Sequence, residues 1–276
     1  MITRKQLKNL DTICQMPISD FCPLGDVTDT KHGPMIHINN GGNVLAVAHL
    51  DTVDSVKPKW KGKYRIQTPD LDDRLGAWVL LDLLPSLGIT GYDVLLCDSE
   101  EIGCSTAQFL PQTDQYNWLF EFDRAGTDVV TYQYGGDEWD DTLASYGFDV
   151  EHGAFSDISY LEHLGRKAVN VGVGYHRQHT KKCHADLRFT VANAMRFAEF
   201  YRDHQHHVFE HTDTSQQDAE RTLYDRYSDD YHCPWCYAPC TENEIFEDDC
   251  PHCRKPVAWN EWLDKNELSE ILLDSL

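Results

Sequence analysis

The chain has 276 residues, with 46 acidic against 24 basic residues and a formal net charge of −22, a balance that opposes binding to nucleic-acid backbones and anionic membranes. Hydrophobic residues make up 41% and charged residues 25%, as in a folded water-exposed protein, and no apolar run approaches the length of a bilayer span. The opening MITRKQLKNLDTICQ lacks the apolar core and small-residue cleavage site of a secretory signal, so a cytoplasmic location is expected.

Residues 1–42 read as a short helix followed by turn-rich sequence ending in NNGG. NVLAVAHLDTV then reads as a buried strand that delivers polar side chains at its C-terminal end. LDDRLGAWVLLDLLPSLG reads as a helix with Leu75, Val79 and Leu83 on one stripe and Gly88 as its stop. DVLLC, NWLFEF, DVVTYQY and KAVNVGV are further strand candidates, with ISYLEHLG a short helix before the last. LRFTVANAMRFAEFYRDH carries Leu187, Val191, Met195, Ala198 and Tyr201 at helical spacing and is expected to close the core. Strands alternating with helices give an α/β sandwich around a mostly buried sheet. This domain is expected over residues 1–205, a polar linker or exposed helix over 206–230, and a separate small module over 231–276.

In DVLLCDSEEIGCST two adjacent glutamates, Glu100 and Glu101, follow an apolar strand. Like charges at the end of a buried strand cost stability unless a cation or a proton compensates them. Four further residues also lie just after apolar runs: His49, Asp72, Asp123 and His179. Open α/β sheets gather such strand-end residues at one point. Imidazoles and carboxylates, with one carboxylate shared, are what a pair of zinc ions requires. Asp72 is the candidate for the shared carboxylate. Glu101 then binds metal and Glu100 remains as the unligated neighbour able to take a proton from water.

In order and kind these motifs resemble the co-catalytic zinc peptidase clan, which includes bacterial leucyl aminopeptidases, peptidase T and the acetylornithine deacetylase group. The resemblance covers roughly residues 40–200 and implies a three-layer sandwich with a mixed, largely parallel central sheet. It implies that His49 binds metal with Asp51 behind its imidazole, that Asp72 ahead of Gly76 bridges the metals in preference to Asp73, and that Glu100 is the general base. A first site of His49, Asp72 and Asp123 then faces a second of Asp72, Glu101 and His179. His179 is followed by Thr180, as the family pattern asks, but Cys183 stands where the family often has a Glu, and His184 remains the alternative ligand. Asp157 in FSDISYL reads either as a substrate contact or as a helix N-cap. His49 and Asp72 are 23 positions apart, and Asp123 and His179 are 56 apart, which leaves no room for the lid or dimerisation domain that many clan members insert. Two zinc ions are expected in the active site, with manganese or cobalt as alternatives.

CPWC and CPHC place Cys233, Cys236, Cys250 and Cys253 as two C-x2-C pairs, the spacing of a zinc ribbon holding one structural zinc. Residues 231–258 hold five acids and two bases, which suits a protein partner or a structural cap better than nucleic acid. The amphipathic WNEWLDKNELSEILLDSL follows as a C-terminal helix. The expected function is dinuclear zinc hydrolysis of amide bonds in small peptides, as an aminopeptidase. One alternative is deacylation of N-acyl amino acids or carboxypeptidase action, with Arg74, Arg124 or Arg177 gripping a substrate carboxylate. Another is a catalytically silent zinc-ribbon adaptor.

Overall fold

Helices cover both faces of a mixed eight-stranded sheet, which is why its central strands are apolar at successive positions instead of alternating. The computed structural model describes residues 2–212; the expected ribbon cysteines Cys233, Cys236, Cys250 and Cys253 and the expected C-terminal helix lie outside the described residues. In chain order the main elements are α1 (Arg4–Gln15), β1 (Asp26–Thr30), β2 (Gly33–Ile38), β3 (Val44–His49), β4 (Lys59–Lys61), β5 (Arg65–Gln67), α2 (Leu71–Trp78), α3 (Leu84–Ser86), β6 (Asp93–Cys97), β7 (Trp118–Arg124), β8 (Val129–Val130), α4 (Asp137–Ser145), β9 (Val150–Glu151), β10 (Ala168–Gly172), β11 (Tyr175–His176), β12 (His184–Asp186) and α5 (Leu187–His204). The large sheet runs β1-β2-β6-β3-β7-β10-β8-β9. Its centre, β6-β3-β7-β10, is parallel throughout. A second, antiparallel sheet runs β11-β12-β5-β4.

All six residues of β3 are buried. Leu45 and Val47 face a core with Leu95, Tyr134 and Ile158, while Ala46 and Ala48 face the other with Trp78, Phe120 and Phe197. On that second face α5 seals β7 through aromatic contacts, Phe120 to Phe197 at 4.6 Å and Trp118 to Phe200 at 5.2 Å between ring centroids. Aromatic pairs at such separations add to the area they bury. The helix α1 is closed at its start by a reciprocal capping box between Thr3 and Gln6. Trp78 of α2 then donates its indole N–H to the carbonyl of Gln6.

Three expectations need correction. Residues 26–38 form a β-hairpin where turn-rich sequence was expected; β1 is exposed and polar along most of its length, so it carries no apolar period to read. Met195 is 54% exposed. The buried stripe of α5 instead runs through Leu187, Thr190, Ala194, Phe197, Ala198 and Tyr201. Polar Thr190 and Asn193 are tolerated inside because they donate to the carbonyls of Val173 and Gly172, at 2.6 and 2.8 Å. DVVTYQY supplies only the two strand residues of β8 before turning into a short 3-10 helix over Tyr132–Tyr134.

Past the expected boundary at residue 205 the described chain stays on the core. The Lys167 N–H donates to the Phe209 carbonyl at 2.9 Å, and Phe209 packs on Trp139 at 4.7 Å. Among the described residues no helix is long and apolar enough to cross a membrane.

The start of α2 depends on Gly76. Its N–H donates to Asp73 Oδ1 at 3.0 Å, and a Cβ there would collide with that carboxylate and with the backbone carbonyl of Phe122. Gly76→Ala is expected to cost about 1–3 kcal/mol through the displacement this forces. It should appear as a lower urea midpoint at unchanged slope; an unchanged midpoint would contradict the close approach.

Candidate metal centre

Because β3, β6, β7 and β10 are parallel, their C-terminal ends share one edge of the sheet, and the candidate residues arrive there from separate parts of the sequence. His49 is the last residue of β3 and lies beside Cys97, the last residue of β6. Asp123 sits near the end of β7. Asp72 and Asp73 break the start of α2 with non-helical backbone, and the peptide between them is cis. His179 arrives on the loop between β11 and β12, at φ +57°.

His49 is fully buried. Its Nδ1 lies 3.0 Å from the Asp51 carbonyl and 3.5 Å from Asp51 Oδ1; a carbonyl only accepts, so Nδ1 is the donor and Nε2 faces the site. That Nε2 makes no hydrogen bond, although Asp72 Oδ1, Asp123 Oδ1 and Glu100 Oε2 stand 3.3, 3.7 and 3.8 Å away. The second oxygen of Asp72 points to the other imidazole: His179 Nε2 lies 3.1 Å from Asp72 Oδ2 and 3.2 Å from Glu101 Oε2. One ligand atom from each of His49, Asp72 and Glu101 falls within 4.8 Å of the others.

Asp51 has a second task. Its two carboxylate oxygens accept from the backbone N–H groups of Glu100 and Glu101 at 3.2 and 3.1 Å, so one residue, through its carbonyl and its carboxylate, holds both the His49 ring and the loop carrying the glutamate pair. Two residues not singled out from the sequence hold Asp123. The hydroxyl of buried Tyr175 lies 2.9 Å from Asp123 Oδ1 and 3.3 Å from Asp72 Oδ1, and Ser156 Oγ donates to Asp123 Oδ2 at 3.0 Å. The only sequence signal for them was position, Tyr175 four residues before His179 and Ser156 at the head of the short helix.

Asp157 fills neither expected role. The helix over Asp157–Leu164 is capped by Ser156, and Asp157, only 1% exposed, accepts a hydrogen bond from Ser105. His184 is exposed on β12 with Nδ1 at 3.0 Å from the Lys182 carbonyl, and it is His179 that meets Asp72. Arg74 is also displaced from the expected site: it donates to the carbonyls of Ile13 and Met16 and lies over the Phe21 ring. Arg124 reaches the cleft but is tied to Asp128 at 2.9 Å. The cleft itself is about 330 Å³, with Asp72, Glu100, Glu101, Asp123 and His179 facing Tyr132 and Phe155 across it.

The charges respond to this crowding. Burial pushes Glu100 up to about 8, helped by Asp123, and pushes Glu101 up to about 7, helped by Asp72. Burial and the Asp72 charge also raise Asp123. His179 is pushed up to about 9, first by its hydrogen bond to Asp72. Burial works against the charged form of His49, but Asp123, Asp51 and Asp72 outweigh it and hold the ring well above its ordinary value.

No family model and no curated protein sequence matches this chain. Its backbone is similar to that of a tripeptidase from Staphylococcus aureus subsp. aureus Mu50, with a TM-score of 0.53 at 14% identity, covering 72% of this chain and 98% of that one. It is also similar to the aminopeptidase PepT from Bacillus cereus ATCC 10987, with a TM-score of 0.52 at 12% identity, covering 71% and 96%. At such identities the likeness establishes a shared fold.

A pH dependence follows from the raised groups. Between the ordinary value of 4.5 and their folded values, Glu100 and Glu101 are ionised in the unfolded chain and protonated in the folded one. His179 likewise holds its proton longer when folded, from 6.5 up to about 9. The folded state binds more protons over this whole window, so stability falls as pH rises through it. Chelator-treated protein is expected to melt at progressively lower temperature from about pH 5 to about pH 9, and added zinc to flatten that fall. Thermal melts with and without zinc test this; a melting temperature that rises over the window without zinc would refute it.

Proposed function

We propose that this protein is a metal-dependent peptidase that hydrolyses amide bonds of small peptides, acting as an aminopeptidase with two zinc ions in its active site. The observation that carries this reading is the Asp72 carboxylate, which turns one oxygen toward His49 and the other toward His179. A carboxylate so placed suits a bridging ligand. The buried, unpartnered Nε2 of His49 among three carboxylates fits a cation far better than a packed core, and a mixed imidazole and carboxylate set suits zinc, with manganese or cobalt as substitutes. In this reading His49, Asp72 and Asp123 hold one ion and Asp72, Glu101 and His179 the other. When bound, such a pair acidifies a water molecule and polarises a substrate carbonyl.

The side chains divide the remaining work. Glu100 takes the proton from the attacking water and passes it to the leaving amine; burial raises its carboxyl in the metal-free protein, and a bound cation pair would draw it back toward the ionised form that accepts a proton. Asp51 orients the His49 ring and holds Glu100 in place through its backbone N–H. Tyr175 and Ser156 hold both oxygens of Asp123. The acidic cleft, with Arg124 neutralised by Asp128 and Arg74 buried elsewhere, favours a free amino terminus over a substrate carboxylate near the scissile bond. The fold shared with a tripeptidase and an aminopeptidase supports the same choice. Cys233, Cys236, Cys250 and Cys253 hold a further, structural zinc in this reading.

Elemental analysis of tag-free protein is then expected to find ~3 zinc ions per chain, two lost in Glu101→Ala and one in Cys250→Ser. Glu100→Gln should keep its metal while the turnover of a dipeptide library falls by about 10²–10⁴-fold. Zinc tied only to Cys250, with no hydrolysis after zinc, manganese or cobalt is supplied, would end the peptidase reading. Tyr175→Phe removes a hydroxyl from Asp123 and Asp72 and should weaken active-site zinc about 10–100-fold in a competitive chelator titration; unchanged affinity would remove Tyr175 from that role.

A further inference from the structure

The segment KPKWKGKYR, residues 57–65, holds five basic residues and no acid in a chain of net charge −22. It forms β4 and β5, and their register sets Lys61 directly opposite Arg65. Like charges across a strand pair are destabilising. The loop between β11 and β12 brings two more cations to the same place, so that Lys61, Arg65, Arg177, Lys182 and His184 line one hollow of about 440 Å³ together with Gln67, and buried Ile66 completes it. No carboxylate lines it. Arg65 shares Asp186 with Arg188, but among the described residues the side chains of Lys61, Arg177 and Lys182 have no acidic partner. Lysines on an edge strand guard it against pairing with another chain, which accounts for Lys59 and Lys61. It does not account for Arg177 and Lys182, which come from the far side of this small sheet.

Arg177 faces the basic hollow, while Gln178 and His179, the next two residues, face the acidic cleft. The two hollows therefore share one wall, built on consecutive residues of a single loop, and an extended peptide is the form of ligand that can reach both. We infer that the basic hollow binds carboxylates of a peptide substrate on the C-terminal side of the scissile bond, so that the enzyme selects acidic oligopeptides. This rests on the peptidase reading above. It also gives the site opposite local charges in sequence, acidic where the free amine enters and basic where the acidic remainder lies, against an overall charge that repels acidic peptides.

The test compares kcat/KM of the full-length, zinc-loaded protein on Ala-Ala-Glu-Glu and Ala-Ala-Lys-Lys. The acidic peptide is expected to be favoured by about tenfold or more, through KM. The preference should shrink as salt rises from about 50 mM to about 500 mM, because local attraction is screened. Lys61→Ala combined with Arg177→Ala, and separately Lys182→Ala, should reduce the preference toward parity while hydrolysis of Ala-Ala amide, which carries no carboxylate, stays within about twofold. Cleavage of both peptides without preference, or a preference that survives the substitutions, overturns the basic subsite and leaves the peptidase reading standing. If no peptide is cleaved, the peptidase reading fails, and equilibrium binding of fluorescein-labelled Ala-Ala-Glu-Glu decides the hollow by itself: binding lost in the Lys61→Ala/Arg177→Ala variant supports it, and no binding refutes it.

Discussion

Four carboxylates, Asp72, Glu100, Glu101 and Asp123, crowd around two imidazoles at one edge of a buried sheet, and the surrounding structure is arranged to hold them there. Burial drives each glutamate and Asp123 toward the protonated form. Opposing charge is needed to keep them ionised, and the imidazoles supply part of it for Asp72. A divalent cation supplies more without consuming protons. The hydrogen bonds of Asp51 are spent on the groups that would otherwise move, the His49 ring and the turn carrying Glu100 and Glu101.

The two sheets contribute to this point in different ways. The large sheet delivers His49 and Asp123 from strands locked between two cores, with β7 pinned by Phe197, Phe200 and Tyr201 of α5. Residues at the ends of such strands inherit the rigidity of the packing behind them. The small sheet delivers His179 from a loop, with its side chain 57% exposed. Of the five proposed ligands, four thus come from the large sheet and its flanking helix and loop, and His179 alone from a surface element. The same surface element carries the concentration of basic charge, so the part of the cleft wall least fixed by packing is also the part that separates two regions of opposite potential.

Much of the site was legible in the sequence because His49, Glu100, Glu101 and Asp123 stand at or just past the ends of apolar strands, which a parallel sheet brings together, while Asp72 and His179 were marked by residue type and order. All six, His49, Asp72, Glu100, Glu101, Asp123 and His179, do meet. Tyr175 and Ser156 escaped notice, since a tyrosine or serine beside a strand has no spacing that marks it as a support for a distant aspartate. The reading of Asp157 failed for a related reason: an acid before a helix resembles an N-cap, and only the three-dimensional neighbour Ser105 explains its burial. Met195 was misplaced on the stripe of α5 because stepping by four from Leu187 drifts off a face with a period of 3.6 residues.

Local sequence alone determined the elements with strong apolar pattern, β3, β6, β7, β10 and α5, and with them the α/β class, because burial of apolar side chains at regular spacing is a local property of the chain. It also marked the ligand candidates by type and order. Tertiary structure decided which histidine of the crowded segment 176–184 meets Asp72, that Arg74 leaves the cleft to pack under α1, and that four lysine and arginine side chains of two distant segments form one hollow with His184. These outcomes depend on strand register and loop geometry between residues far apart in the chain, and a one-dimensional pattern carries no record of either.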